Sequence, residues 1–422
     1  MNARLGVLFV SLSALLLVLP AAAVAVPEAG EMLVNRTLDS RQENPVAAFG
    51  PGGVSLVVWE DSRYGVRGQL FGPGGAKHGA ALDLAGNQLP SIPGEGPATF
   101  AVEPAAVFLS GGDFLLAWAE ERGYLRVAPF YQDFDLATRR AMARRFTAAG
   151  KPVGPAFTIS SSPERLESWP RLHVLAGGPV LAVWRSDRAA GAAGAENGLF
   201  ARHLTRLGRP HGGELRVSGD GDQDALYVAF AEAPGGQVML AWEGCCDAGG
   251  DLGIFARLYD ASTRSFGPLG QINVETAQKQ RRPALAVDGD RGFLVLWQGI
   301  IDRTTGRIFG RFVDLAGQPT GGQFQVSQGH GTVQLAPGVA AKPGGGYLAV
   351  WRDWIGVSFG VSAVELDAAG LPLGEPARVH SRGIQKSGRT SLATDGAGIF
   401  LVPYEKALKG RPGIAASRIE SQ

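Results

Sequence analysis

The sequence predicts an all-β protein, a seven-bladed β-propeller with four short strands in each blade. Three features predict it: a motif that recurs along the whole chain, a glycine-rich turn before each copy, and an alternating segment after it. "SLVVWEDSR" at residues 55–63 is one copy, and "FLLAWAEER", "VLAVWRSDR", "VMLAWEGCC", "FLVLWQGII", "YLAVWRDWI" and the altered "IFLVPYEKA" are others. The strand-ending aromatics are Trp59, Trp118, Trp184, Trp242, Trp297, Trp351 and Tyr404, separated by 59, 66, 58, 55, 54 and 53 residues. Repetition at that spacing means that one architecture fills the chain.

The amino-terminal residues read as an export signal. Arg4 precedes the apolar run Val7 to Leu19, and "PAAAVAVP" offers cleavage after Ala23 or Ala25. The run is shorter than the roughly 20 residues a membrane-spanning helix needs. We therefore expect residues 1–25 to be a signal peptide and residues 26–422 a single propeller domain, secreted or periplasmic, monomeric and not inserted in a membrane.

Within each unit a short apolar segment such as "PVAAF" or "PALAV" leads into the glycine turn ("GPGGVSL", "SGGDFLL", "PGGGYLA") and then into the Trp-ending strand. Apolar run, glycine turn, apolar run is a hairpin signature. Downstream, "ARRFTAAGKPVG", "ARLYDASTRSFG" and "GRFVDLAGQPTG" alternate before a further turn and give a third strand, and "FQVS" or "LRVS" gives a fourth. Four-stranded units at this period, with no helical pattern between them, indicate blades around a central channel. The last unit stops after its third strand, "GIAASRI", while "EMLVN" at 31–35 resembles a fourth strand with no preceding three. The amino-terminal strand should therefore complete the last blade and close the ring, which hides the sheet edges an open array exposes.

These units resemble the Trp-containing propeller repeats of exported bacterial proteins, over nearly all of the mature chain. The resemblance implies the architecture and leaves the ligand open, because such scaffolds carry many functions. The sialidase signature "S-x-D-x-G-x-x-W" does not occur in the sequence.

With 45% hydrophobic and 19% charged residues, the chain can bury substantial cores. A formal charge of +1 supplies no basic field for nucleic acid or anionic lipid, so neither partner is expected. No H-E-x-x-H pair or phosphate loop occurs, and nothing implies a cofactor or a metal. "GDGDQDA" places Asp220, Asp222 and Asp224 at calcium-loop spacing but has alanine where an EF-hand needs its sixth-position glycine and twelfth-position glutamate.

Charged residues recur after the aromatic: Glu60, Asp61 and Arg63; Glu120, Glu121 and Arg122; Asp187 and Arg188; Asp302 and Arg303; Arg352 and Asp353. They either lock loops and neighbouring blades, by accepting backbone N–H groups and bridging to arginines, or ring one channel mouth. The connectors on the same face carry Arg41, Gln42, Asp222, Gln280, Arg281, Gln334 and Gln385. Blade two departs most from the repeat, with an insertion at about 122–140 that concentrates Tyr124, Phe130, Tyr131, Asp133, Phe134, Asp135, Arg139 and Arg140. Aromatic faces beside carboxylates and arginines suit a glycan or protein ligand. Cys245 and Cys246 are adjacent in a loop on that face and form a candidate vicinal disulfide in an oxidising compartment.

The sequence thus leads us to expect an exported, non-catalytic binding propeller that recognises a glycan or protein at the channel mouth and the blade-two insertion. The alternatives are a propeller that cleaves glycans with carboxylates on the same face, Asp133 and Asp135 among them, or a structural element of the cell envelope.

Overall fold

The computed structural model describes residues 30–35, 40–90, 95–128, 131–162, 165–188, 197–219, 222, 224–276, 278–302, 305–328, 333–355, 358–384, 391–408 and 411–420. The segment read as a signal peptide lies outside them. The described chain is a seven-bladed propeller of antiparallel sheets, as the repeat predicts. Blade 1 runs Gln42–Phe49, Ser55–Asp61, Gly65–Phe71 and Lys77–Ala85 from the axis outward. Blades 2 to 6 repeat that meander, beginning with inner strands Glu95–Phe108, Arg165–Val174, Leu226–Glu232, Gln280–Val287 and Gln334–Ala341. Blade 7 consists of Ala393–Thr394, Ile399–Leu408 and Arg411–Glu420. Its fourth strand is the amino-terminal Gly30–Leu33, antiparallel to Arg411–Glu420 with Gly30 opposite Arg418 and Leu33 opposite Ala415.

The second strand of each blade is a continuous apolar run because both of its faces are covered. Leu56, Val57, Val58 and Trp59 are all fully buried. Since side chains alternate across a strand, Leu56 and Val58 join the core shared with blade 2, while Val57 and Trp59 join the core shared with blade 7. The same split recurs in blade 5, where Leu294 and Leu296 face blade 6 and Phe293, Val295 and Trp297 face blade 4. Seven such cores, one per interface, close the ring.

The tryptophans are packing residues, and some of their indole N–H groups are bonded inside the core. Trp297 donates to Gln280 Oε1 at 2.8 Å and Trp242 to Asp222 Oδ2 at 3.2 Å. Gln42, Gln280 and Gln334 are accordingly buried beneath the face rather than lining the mouth, and Gln385 lies outside the described residues. Glycine is required at some of the tight turns. Gly292 has φ +133°, and a β-carbon there would stand 2.1 Å from the Val313 carbonyl oxygen.

Glu167, at the inner edge of blade 3, is fully buried and accepts the Ala141 N–H of blade 2 at 2.9 Å. Burial raises its pKa from 4.5 to about 7. A carboxyl whose folded pKa exceeds its unfolded one contributes stability that is complete below the unfolded value and is lost as the pH rises through the folded value. For Glu167 that window spans about 4.5 to 7, and the contribution is on the order of 3 kcal/mol. Glu167→Gln, which mimics the protonated acid, is expected to raise the melting temperature relative to the parent more at pH 8 than at pH 5. Equal shifts at both pH values in thermal melts would refute this account.

The departure in blade 2 is a regular extension of the blade. Its second and third strands, Phe114–Ala128 and Tyr131–Phe146, continue as a hairpin beyond the usual turn, and the lengthened inner strand pairs with it from Glu95 opposite Arg126 onward. The insertion thus prolongs the blade from the face where the other second-to-third strand turns lie.

Candidate functional site

Six inner strands share one backbone device. Asn44, Glu103, Trp169, Tyr227, Arg282 and Ala336 all have φ between 50° and 56°. Each coincides with a break in register against the second strand. In every case but Tyr227 the next residue is proline. Left-handed backbone is uncommon for residues with a side chain, and such outliers gather at functional sites.

Five of these bulges, all but Tyr227, present the N–H to the preceding blade. Asn44 donates to Glu405 Oε1 at 3.1 Å, Arg282 to Glu243 Oε2 at 2.9 Å and Ala336 to Gln298 Oε1 at 3.2 Å. The Glu103 amide is bonded to Glu60. Glu60, Glu243, Gln298 and Glu405 directly follow Trp59, Trp242, Trp297 and Tyr404, so the polar residue after the aromatic latches one blade to the next. In blade 2, Ala119 occupies that place, and Glu103 itself accepts the Trp169 N–H at 2.6 Å.

The latches and bulges together form a closed ring of interacting polar groups. Asn44 bonds Glu60, which is coupled to Glu103. Glu103 accepts Arg139 Nη2 at 2.7 Å and is also coupled to Arg171. Arg171 is coupled to Tyr227, over whose ring the Arg282 guanidinium sits at 5.1 Å. Trp169 packs at 6.0 Å from Tyr227. Arg282 repels Arg352, Arg352 is attracted to Glu405, and Glu405 returns to Asn44.

The ring is sided. Its acids, Glu405, Glu60 and Glu103, come from blades 7, 1 and 2, and its arginines Arg171, Arg282 and Arg352 from blades 3, 5 and 6. Burial raises Glu60 to about 7, and it raises Glu103 and Glu405 as well; Arg139 and the Trp169 amide oppose the rise at Glu103. Burial lowers Arg171 and Arg352 to about 10, which leaves both cationic at neutral pH. At the axis, Arg171, Tyr227 and Arg282 line a cavity of about 280 Å³ whose remaining wall is the apolar inner strands, Val46, Val228 and Val339 included. A second, more open cleft of about 410 Å³ between blades 3, 4 and 5 is lined by Arg185, Glu243, Cys245, Lys279 and Arg281.

The residues singled out in the sequence fall partly on this ring. Glu60 belongs to it, and Arg139 joins it through Glu103 and through Glu121 at 3.1 Å. Asp61 is buried and caps its own turn, accepting the N–H groups of Arg63 and Tyr64 at 3.0 Å each, while Arg63 lies over the Tyr64 ring. Glu120 pairs with Arg122 at 2.6 Å and Asp187 with Arg185 at 2.8 Å. Asp302 is exposed. On the blade-two hairpin, Tyr124 and Asp135 are exposed, Phe134 packs edge-on against Phe100 at 5.0 Å, and Arg140 donates to the Ser162 carbonyl at 2.7 Å. Phe130 and Arg303 lie outside the described residues, as do the side chains of Tyr131, Asp133 and Arg188.

Cys245 and Cys246 are joined by a disulfide. Asp222, one of the calcium-spaced acids, accepts the Trp242 indole and the Cys245 N–H, and Asp220 lies outside the described residues. Among the described residues no three His, Cys, Asp or Glu side chains are grouped to hold a metal ion.

The residues that sequence reasoning passed over are Glu103, Trp169, Arg171, Tyr227 and Arg282. For all but Tyr227 the signal was present in "VEPAAVF", "SWPRLHV" and "RRPALAV", where the residue before a proline changes identity while the apolar run after it does not.

No family model matches the chain, and no curated protein does. Among solved structures it is similar to an ulvan lyase, a polysaccharide lyase bound to -[GlcA(1-4)Rha3S]-, at 10% identity and a TM-score of 0.57 over 92% of this chain and 96% of that one. It is also similar to a Dyadobacter fermentans protein of unknown function, at 15% identity and a TM-score of 0.54 over 78% of this chain and 100% of that one. A Penicillium chrysogenum α-L-arabinanase aligns at 12% identity with a TM-score of 0.47, over 76% of this chain and 93% of that one.

These likenesses establish the propeller fold and do not extend to membership of a Trp-containing repeat family. They also correct the expectation of a non-catalytic binding module. The ulvan lyase, a solved propeller of stated activity that resembles the chain, acts on a glycan, and this sides with the glycan-cleaving alternative. No helix among the described residues is long and apolar enough to cross a membrane.

Proposed function

We propose that the protein is a glycan-cleaving propeller enzyme whose reaction takes place at the channel mouth. The observation that carries this reading is the sided arrangement of charge: Glu60, half-buried, with buried Glu103 and Glu405 on one side of the axis, and Arg171, Arg282, Arg352 and Tyr227 on the other, of which Arg171, Tyr227 and Arg282 line a cavity. Cleavage of a glycosidic bond requires a proton to be taken up and one to be given, and a group serves best when its pKa lies near the working pH. Glu60, at about 7, meets that condition as proton donor. Glu103, fixed by Arg139 and the Trp169 amide, is oriented as the acceptor.

Clusters of perturbed groups of this kind concentrate at active sites. Asp135, exposed on the hairpin, and Glu120, paired with Arg122, are less suited to the role the sequence gave them. The fold supports the reading as a scaffold on which a polysaccharide lyase is built. An export signal at residues 1–25, a single domain over 26–422 and a monomer acting outside the cytoplasm complete the proposal.

The test is to incubate the mature chain with a panel of neutral and acidic polysaccharides and to follow new reducing ends and the fall in polymer length. Cleavage of at least one polymer is expected, and Glu103→Gln is expected to lower its rate by about 100-fold or more. Lys151→Met, in an exposed turn at the opposite face, should leave the rate unchanged. No cleavage across the panel, or full activity in Glu103→Gln, would contradict the proposal.

A further inference from the structure

Resting on that reading of the mouth, we infer that the sugar it accepts is anionic, its carboxylate or sulfate ester held between Arg171 and Arg282. Several other arginines have acidic partners, Arg67 with Asp83, Arg139 with Glu103, Arg145 with Asp113 and Arg281 with Glu243, while Arg202, Arg257 and Arg311 each give their donors to two carbonyls. Among the described residues no carboxylate lies within ion-pair distance of Arg171 or Arg282. Arg171 Nη1 donates to the carbonyl of its own neighbour, Pro170, at 2.9 Å. Glu103, the acid whose field Arg171 feels, already holds Arg139 and the Trp169 amide on its two oxygens.

Glu243, a carboxylate that feels the Arg282 charge, is likewise occupied, by the Arg282 backbone amide and the Arg281 side chain. Arg352 adds a further positive charge beside Arg282. Buried charge is ordinarily paired. Two partly buried guanidiniums that flank one tyrosine and open on an axial cavity therefore have donors to spare for an anion. The planar guanidinium fork suits both a carboxylate and a sulfate, each of which offers two oxygens at matching spacing. A cavity of about 280 Å³ is at the small end for a ligand pocket, so one acidic sugar unit would enter it while the rest of the chain lies across the face.

The experiment is titration calorimetry of the mature chain with polygalacturonate oligosaccharides, the same oligosaccharides after carboxyl reduction, a sulfated galactan oligosaccharide and its desulfated form. An acidic oligosaccharide is expected to bind at least about tenfold more tightly than its neutral counterpart, because the neutral form leaves the guanidiniums unpaired. The member of the two pairs that binds identifies carboxylate or sulfate. Arg171→Met and Arg282→Met should each lose about 10- to 100-fold in affinity, and Lys151→Met none. Comparison of acidic with neutral forms on the unaltered protein decides the matter even where a variant does not fold. Neutral forms bound as tightly as acidic ones, or arginine variants with unchanged affinity, would overturn the inference whether or not the glycan is cut. Acidic oligosaccharides that bind at the arginines but are never cleaved would uphold it and defeat the catalytic reading instead.

Discussion

Deleting residues 30–35 is expected to cost on the order of 5 kcal/mol, about the whole stability of a marginal domain. The segment supplies the fourth strand of blade 7, paired residue for residue with Leu33 to Gly30 against Ala415 to Arg418. It also supplies Val34, fully buried in the core shared by blades 7 and 1 with Trp59, Phe71 and Ile414. Burial of one such aliphatic side chain is worth about 1.5–3 kcal/mol, and each ladder hydrogen bond adds about 1 kcal/mol. Asn35 contributes further by accepting the Ile414 N–H at 3.1 Å. Without the segment the outer edge of Arg411–Glu420 is exposed, an invitation to pair with another chain. Chemical denaturation of the truncated chain should show a lost or much lowered transition together with aggregation. A transition within about 1 kcal/mol of the parent's would show that the ring does not depend on this closure.

Glu103→Ala should be the most damaging single change at the mouth, and the comparison with Glu103→Gln separates structure from chemistry. Alanine leaves the Arg139 guanidinium without one of its two acidic partners and the Trp169 N–H without its acceptor at a strained bulge. Removing one side of a buried pair costs about 3–5 kcal/mol. Glutamine keeps one oxygen for the Trp169 amide but turns its NH2 toward Arg139, which retains Glu121, so it should fold with a smaller loss than alanine while still failing as a proton acceptor. The expected pattern is a large drop in melting temperature for alanine, a small one for glutamine and an equal collapse in turnover for both. Retention of turnover by glutamine would remove Glu103 from the chemistry and leave it as a latch.

The fold was legible because its determinants are periodic. Trp59, Trp118 and their counterparts mark buried second strands, the glycine turns mark hairpins, and the unpaired "EMLVN" marks the closure. The site was legible only in part, because what positions it is a backbone conformation and not a residue type. Asn44, Glu103, Trp169, Tyr227, Arg282 and Ala336 have nothing in common as side chains, yet the same left-handed bulge holds each in the inner strand. Glu60 was singled out as one of a charged pair, whereas its bond to the Glu103 amide joins residues 43 apart in the chain and brings their blades together. The blade-two aromatics drew attention by their density, but Phe134 is spent on Phe100 in a hairpin that prolongs the blade.

The central claim, that the ring at the channel mouth performs acid–base cleavage of a glycan, is tested most directly by the pH dependence of kcat/KM in the parent and in Glu60→Gln. Burial places the Glu60 ionisation near 7, so the parent's rate should fall above that pH as the proton donor is lost. Glu60→Gln should be slower by about 100-fold or more, with that limb gone. An unchanged rate and an unchanged limb in Glu60→Gln would contradict the account and leave Glu60 a latch between blades 1 and 2.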